Sequence, residues 1–328
     1  MKYKIGVTTS QEYPVRIDKF LNGLTGVDAS VEEVDMPFRK LTDEETREIV
    51  PKLEPYEAIL VRSGIFTAEI LHALPNLKVI CVHGAGVDQI DYEEAAKLNI
   101  AVLNTPGANA NGVIELTMAL MLIQTRNLYT SIYRLKNLGD WTGGKICGRE
   151  LDKKILGLFG AGRIGLEVAR RAAAFGMHVK VYDPYLMHKI EMESVEVCEK
   201  LDEMLGSADI ISLHAPLTEQ TKYVVNKESI AKMKDGVIVI NTSRGGLINE
   251  KDLYAALACH KVGAAALDVF ETEPATSDNP LFKLDNVIVT PHIGGSTQES
   301  LENVAFMAGE EIKGYLNTGE SKYIVNKQ

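Results

Sequence analysis

The chain has 328 residues, 45% of them hydrophobic and 24% charged, enough for two domains with a core each and too apolar for wholesale disorder. Its 35 basic and 45 acidic side chains leave a net charge of −10, the wrong sign for a protein that coats nucleic acid or an anionic membrane. No apolar run approaches the ~20 residues of a spanning helix.

The first ten residues are apolar over too short a stretch for a signal peptide and read as a first strand. Further strands are expected at 58–61, 77–82 and 100–103, after one at 4–8. The segment 113–123 is nearly all apolar and of a length that suits a buried helix, which must be covered on every side by core packing or by a second subunit. An exposed arm, 129–145, follows it. From residue 155 the rhythm tightens, with strands expected at 155–159, 178–182, 195–198, 209–213, 237–241, 263–269 and 287–290. Helical patterns lie between them, for example at 164–175 and 250–258. Strands alternating with helices imply βαβ units and parallel sheets. A last amphipathic helix covers 298–316, with Leu301, Val304, Ala305, Ala308, Ile312 and Leu316 on one face. The four cysteines, Cys81, Cys147, Cys198 and Cys259, are more than fifty residues apart. They form no metal-ligand spacing or disulfide framework, and reduced thiols in a cytoplasmic protein without a bound metal are expected.

Gly160-Ala161-Gly162-Arg163-Ile164-Gly165 is a G-x-G-x-x-G placed between an apolar strand and a helical pattern. Gly160 permits the tight turn, Gly162 lets the backbone approach a pyrophosphate, and Gly165 lets helix and strand pack closely. The helix N-terminus offers free N–H groups to the phosphates. Asp183 closes the next strand, eighteen residues after Gly165. It is placed to bind ribose hydroxyls and to repel a 2′-phosphate, so NAD is expected rather than NADP.

Three polar residues follow strands of the second series: Arg244 in Asn241-Thr242-Ser243-Arg244-Gly245, Glu273 in Phe270-Glu271-Thr272-Glu273-Pro274, and His292 in Thr290-Pro291-His292-Ile293-Gly294. Ligands bind outside the carboxyl ends of parallel strands, so all three are expected to face one crevice. Singly they read as a surface ion-pair partner, a turn residue and a loop histidine. Together they fit reduction of a 2-oxo acid: a planar donor for the carboxylate, an acid for the developing alkoxide, and a carboxylate that orients the acid.

These motifs, with Leu213-His214-Ala215-Pro216-Leu217-Thr218, resemble those of the D-isomer-specific 2-hydroxyacid dehydrogenases over nearly the whole chain. The resemblance implies an α/β fold of two Rossmann-like or flavodoxin-like domains with parallel sheets and an interdomain cleft. Residues 1–103 and 294–328 would form the substrate domain. Residues 104–293 would form the NAD domain, with a dimerisation helix and arm at about 109–139 and hence a homodimer. It implies a catalytic set of Arg244, Glu273 and His292. Cofactor contacts would come from Gly160, Gly162, Arg163, Ile164, Gly165, Asp183, His214, Pro216, Thr221, Thr242, Ser243, Asp268 and Gly294. Ala85, Gly86 and Val87 would receive the substrate carboxylate, with Val87 and Asp268 near the nicotinamide and Asn109 also at the substrate.

Within the family the likeness is to the phosphoglycerate dehydrogenase branch of serine biosynthesis. It rests on Asn104-Thr105-Pro106-Gly107-Ala108-Asn109, Glu115-Leu116-Thr117, Glu273-Pro274-Ala275-Thr276 and the segment from His292 to Glu299. Leu60-Val61-Arg62-Ser63 matches the segment that supplies a phosphate-binding arginine, a role carried onto Arg62. Many relatives have Arg where this chain has His83, which would be a weaker, pH-dependent cation; His72 reads as a surface residue. No C-terminal regulatory domain, and so no serine feedback, is expected. The rival substrates are glyoxylate, hydroxypyruvate or a longer D-2-hydroxy acid. Formate oxidation is disfavoured by Glu273, where that branch carries an amide. A rival of another class is an NAD-binding corepressor acting through protein contacts.

Overall fold

The computed structural model describes residues 3–141, 146–186 and 190–327. Residues 142–145 of the expected arm lie outside them. Two compact units result: Met1–Asn109 with Gly295–Gln328, and Ala110–Gly294.

The first unit begins with β1 (Tyr3–Thr9), α1 (Ile17–Gly23), β2 (Ala29–Asp35), α2 (Asp43–Leu53) and β3 (Ala58–Val61). It continues with α3 (Ala68–His72), β4 (Val79–Val82), α4 (Tyr92–Lys97) and β5 (Ala101–Leu103). The second unit opens with α5 (Ala110–Thr125) and α6 (Leu128–Leu138), then β6 (Ile155–Phe159), α7 (Arg163–Ala174), β7 (His178–Tyr182), β8 (Val195–Val197) and α8 (Leu201–Ser207). It closes with β9 (Ile210–Leu213), α9 (Lys227–Lys232), β10 (Val237–Asn241), α10 (Glu250–Ala258), β11 (Val262–Leu267) and β12 (Val287–Val289). The last helix, α11 (Gln298–Thr318), belongs to the first unit.

Both sheets are parallel throughout. The first runs β2-β1-β3-β4-β5, the second β12-β11-β10-β9-β6-β7-β8. Strand order reverses between β1 and β3 in one and between β6 and β9 in the other, and ligand crevices form at the carboxyl ends of strands at such points. The central strands are buried along their whole length, as in Ala58–Val61, Val79–Val82, Ile210–Leu213 and Val237–Asn241. Such unbroken Val/Ile/Leu runs are what parallel strands covered on both faces require. β2 is absent from the sequence expectations. Ser30, Glu32 and Glu33 interrupt its apolar pattern because it is an edge strand with one partner, β1.

Side-chain caps fix several helix starts. Thr42 and Glu45 form a capping box on α2, and Asn226, Asn249 and Thr297 cap α9, α10 and α11. In the first unit α1 and α11 touch backbone to backbone: a Cβ on Gly23 would lie 2.3 Å from the Phe306 carbonyl oxygen, and one on Gly309 would lie 2.4 Å from that of Phe20. The C-terminal tail covers the outer edge of β5. Val325 N–H donates to the Val102 carbonyl at 2.9 Å, and Asn326 Oδ1 accepts from Val102 N–H at 2.9 Å.

The boundary between the units falls at 109/110 rather than 103/104. The intervening loop is tied to the first unit: Asn104 Nδ2 donates to the Ala85 carbonyl at 2.7 Å and Thr105 N–H to that of Gly84 at 2.9 Å. The apolar α5 is covered by core packing within its own unit, against α7, β10 and β11. Its buried Gln124 donates to the carbonyls of Ala265 and Asn286 at 2.6 and 2.9 Å. By contrast α6 buries no residue, and Tyr129, Ile132 and Leu138 are 60%, 55% and 63% exposed. Among the described residues no helix is long and apolar enough to cross a membrane. No group of His, Cys, Asp and Glu among them could hold a metal ion.

Candidate active site

At the carboxyl end of β6 the chain makes its glycine-rich turn. Gly160 has φ +104°, and a Cβ there would lie 2.7 Å from the His214 carbonyl carbon. A Cβ on Gly165 would lie 2.2 Å from the Gly160 carbonyl oxygen, so helix and turn could not close with any larger residue. Gly162, the N-cap of α7, faces open space, with nothing within 4 Å of such an atom. That opening, beside the first-turn N–H groups of Arg163, Ile164 and Gly165, fits a pyrophosphate. Arg163 is exposed, while Ile164 packs against the core. Asp183 ends β7 with Oδ2 accepting from Ala161 N–H and Oδ1 from Tyr185 N–H, each at 2.7 Å. Each oxygen keeps a lone pair for a hydroxyl.

Behind the turn, His214 follows β9 with Nε2 2.9 Å from Ser212 Oγ. Burial pushes its pKa down to about 4, so its imidazole is neutral. The neighbouring hydroxyls hold loops together. Thr221 donates to the Pro216 carbonyl at 2.6 Å and Ser243 to that of Ala215 at 2.7 Å. Thr242 Oγ1 lies 2.8 Å from Thr117 Oγ1, whose own proton goes to the Val113 carbonyl. What Thr221, Thr242 and Ser243 retain for a ligand is acceptor lone pairs and main-chain groups.

The loops after β10, β11 and β12 carry the other polar residues. Asn241, not singled out from the sequence, shapes the first: Oδ1 accepts from Ser243 N–H at 3.0 Å and Nδ2 donates to the Arg244 carbonyl at 2.8 Å. Arg244 donates from Nη1 to the Ser243 carbonyl at 2.8 Å. Glu273 Oε1 accepts from Phe270 N–H at 3.0 Å, and Oε2 lies 2.7 Å from His292 Nδ1. Burial raises the Glu273 pKa, but the His292 hydrogen bond and charge, the Phe270 amide and the Arg244 charge outweigh it and leave it below its ordinary value. An ionised Glu273 fixes the proton on His292 Nδ1 and turns Nε2 outward. The His292 side chain is 52% exposed and that of Glu273 27%.

His292 sits at φ +51°, a conformation few non-glycine residues adopt. Asp268 holds it there. The Asp268 carbonyl accepts from His292 N–H at 2.9 Å. Its carboxylate accepts from Thr290 Oγ1 at 2.6 Å and from the amides of Ile293 and Gly294 at 2.8 Å. Burial is the dominant influence and raises the Asp268 pKa despite these donors. The family resemblance implies a place for Asp268 near the nicotinamide; its hydrogen bonds clamp the histidine loop.

In the first unit Arg62 and Ser63 leave the carboxyl end of β3, at the reversal of strand order, and His83 leaves β4. Arg62 Nε, Ser63 Oγ and His83 Nε2 are buried without a hydrogen-bond partner among the described residues. The Arg62 guanidinium lies 5.5 Å from the centre of the Tyr13 ring. Burial, and then the Arg62 charge, push His83 down to about 3. The expected pH-dependent cation is therefore corrected: His83 is a neutral donor or acceptor, because it is 6% exposed and already has a cation beside it. The amides of Ala85, Gly86 and Val87 donate to no acceptor among the described residues. Asn109 packs its amide on Gly295, where a Cβ would meet Nδ2 at 2.6 Å. His72 is a surface residue, 2.9 Å from Glu94 Oε1.

Residues 118–294 match the family described as D-isomer specific 2-hydroxyacid dehydrogenase, NAD binding domain. The hydroxypyruvate reductase of Thermotoga maritima is 46% identical over 284 residues, 86% of this chain and 90% of that protein. The D-3-phosphoglycerate dehydrogenase of Methanocaldococcus jannaschii is 44% identical over 281 residues, 85% of this chain and 53% of that protein. The chain thus spans about half the length of the curated phosphoglycerate dehydrogenases of Methanocaldococcus jannaschii, Archaeoglobus fulgidus and Bacillus subtilis. The solved D-lactate dehydrogenase of Aquifex aeolicus, complexed with NAD and lactic acid, has a TM-score of 0.79 at 31% identity, covering 96% of this chain and 95% of that one. The chain belongs to the D-isomer-specific 2-hydroxyacid dehydrogenases and is an NAD-dependent oxidoreductase acting on CH–OH.

Proposed function

We propose that the protein interconverts 3-phosphoglycerate and 3-phosphohydroxypyruvate, with Arg244, Glu273 and His292 as the catalytic set. The observation that carries the choice of substrate is the group of unpartnered polar atoms on Arg62, Ser63 and His83. Buried polar groups are costly without partners, and a phosphate on the third carbon of the substrate would supply them. The Gly160–Gly165 turn and Asp183 would hold a nicotinamide cofactor, which would supply or take up the hydride. In reduction, the His292 imidazolium gives its Nε2 proton to the substrate carbonyl oxygen as it becomes the alcohol oxygen, leaving the neutral ring with its proton on Nδ1 against Glu273. Glu273 keeps the imidazole in the orientation and tautomer this needs. Arg244 takes the carboxylate in a bidentate grip.

The test is NADH oxidation with 3-phosphohydroxypyruvate, hydroxypyruvate and glyoxylate, on wild type and Arg62→Ala. A preference for the phosphorylated acid, lost by about 10- to 100-fold in kcat/KM when the charged hydrogen bonds of Arg62 go, is the expected result. Equal rates on all three acids, indifferent to Arg62, favour the second reading, a hydroxypyruvate or glyoxylate reductase. Its support is that the hydroxypyruvate reductase of Thermotoga maritima is matched over 90% of its length.

The exposed apolar residues of α6 support a homodimer in which a second copy covers Ile132, Tyr133 and Leu138. Light scattering on wild type and Ile132→Glu tests it: a dimer reduced to monomer is expected, and a monomeric wild type overturns it.

A further inference from the structure

Two loops that carry reacting side chains are locked to each other by a pair of glutamates with no role so far. Glu250 opens α10, just after the Arg244 loop. Glu271 lies in the loop that ends at Glu273. Glu250 N–H donates to Glu271 Oε1 at 2.6 Å, and Glu271 N–H donates to Glu250 Oε1 at 2.6 Å. Each carboxylate therefore satisfies the other residue's main chain. The second oxygens are anchored too: Glu250 Oε2 accepts from Asn279 Nδ2 at 2.8 Å and Glu271 Oε2 from the Tyr223 hydroxyl at 3.2 Å. Alongside, the loops meet backbone to backbone. A Cβ on Gly245, the residue after Arg244, would lie 1.9 Å from the Phe270 carbonyl carbon and 2.5 Å from Glu271 N. Phe270 N–H in turn holds Glu273 Oε1.

We propose that Glu250 and Glu271 are positioning residues that set the spacing between Arg244 and the Glu273–His292 pair. The inference rests on the catalytic roles proposed above. Charge-assisted bonds of this length are strong and directional, and a displacement of about 1 Å in a reacting group can cost about 100-fold in rate. Without the clamp the Phe270–Glu273 turn is freed from the Arg244 loop, and both the grip on the carboxylate and the orientation of His292 loosen.

The experiment compares Glu250→Ala, Glu271→Ala, the double variant, Glu271→Asp and Glu271→Gln in the full-length protein. The readouts are kcat, KM for the 2-oxo acid, the pH profile of kcat/KM, and NADH affinity by fluorescence. The alanine variants are expected to lose about 10- to 100-fold in kcat, with NADH affinity within about twofold of wild type and a shifted pH profile. The double variant is expected to be no worse than the poorer single one, because the two bonds form one device. Glu271→Gln keeps an acceptor oxygen at the same reach and is expected to recover most of the loss, whereas Glu271→Asp, one methylene short, is not. If the alanine variants fail to fold, the Asp and Gln pair decides. Wild-type kcat and pH profile in a folded alanine variant, or in Glu271→Asp, overturn the inference. So does a loss shared equally by NADH affinity and not rescued by Gln. Arg244→Lys and Glu273→Gln run alongside: if they too are unimpaired, the catalytic roles themselves fail, and if they alone are impaired, only the clamp does.

Discussion

The two units use the same parallel-sheet design and treat polar groups in opposite ways. In the second unit the carboxylates of Asp268, Glu271 and Glu273, in the loop after β11, are paired within the protein, and Asp268 alone accepts four hydrogen bonds. In the first unit the strand ends bury three polar side-chain atoms with no partner among the described residues. Proton transfer depends on geometry fixed before the substrate arrives. Recognition depends on donors and acceptors left for the substrate to satisfy. Internal pairing marks the machinery, and its absence marks the receptor.

The largest effect expected from this contrast comes from His292→Ala, which should cost about 10²–10⁴-fold in kcat while NADH affinity persists. A kcat within a few-fold of wild type would sink the role of His292 as acid. Next is pH. His83 and His214 have folded values of about 3 and about 4, below the ordinary 6.5. As pH falls below about 6.5 the unfolded chain binds protons that the folded protein refuses, so stability declines from pH 6.5 towards 4. Denaturant melts at pH 7 and pH 5 should show this, and His83→Asn should flatten the difference. An equal difference in the variant would mean His83 is not held neutral by the fold.

Smaller effects separate the units directly. Thr290→Val removes a donor from the buried Asp268 carboxylate and should destabilise by about 1.5–3 kcal/mol, with a matching loss of activity as the His292 loop loosens. Ser63→Ala removes a hydroxyl that has no partner, so the free protein should keep or slightly gain melting temperature, while KM for a phosphorylated acid rises. A clear loss of stability in Ser63→Ala would show that its hydroxyl is already satisfied, and the contrast between the units would fail there.

Much of the second unit was legible because its chemistry is written in local punctuation. Gly160 and Gly165 are demanded by contacts under 3 Å, and Arg244, Glu273 and His292 each follow an apolar run that announces its strand. The first unit was less legible. β2 hides because an edge strand tolerates Ser30, Glu32 and Glu33. His83 reads as a cation until its burial is known, since sequence gives a side chain's type and not its exposure. The Glu250–Glu271 clamp leaves no mark at all, because each carboxylate answers a main-chain amide more than twenty residues away.

The packing of α1 on α11, and of residues 325 and 326 on the edge of β5, bears on how the chain is born. The first unit is interrupted by the 185 residues of the second. On a ribosome adding about 5–20 residues per second, β1 to β5 wait roughly 10–40 s for the helix that covers α1. During that interval the outer edge of β5 is bare, an invitation to pair with another chain, while the second unit already holds all its own strands. The second unit, although begun later, can therefore be completed before the first, and a holdase that shields the nascent N-terminal sheet would act on a defined intermediate.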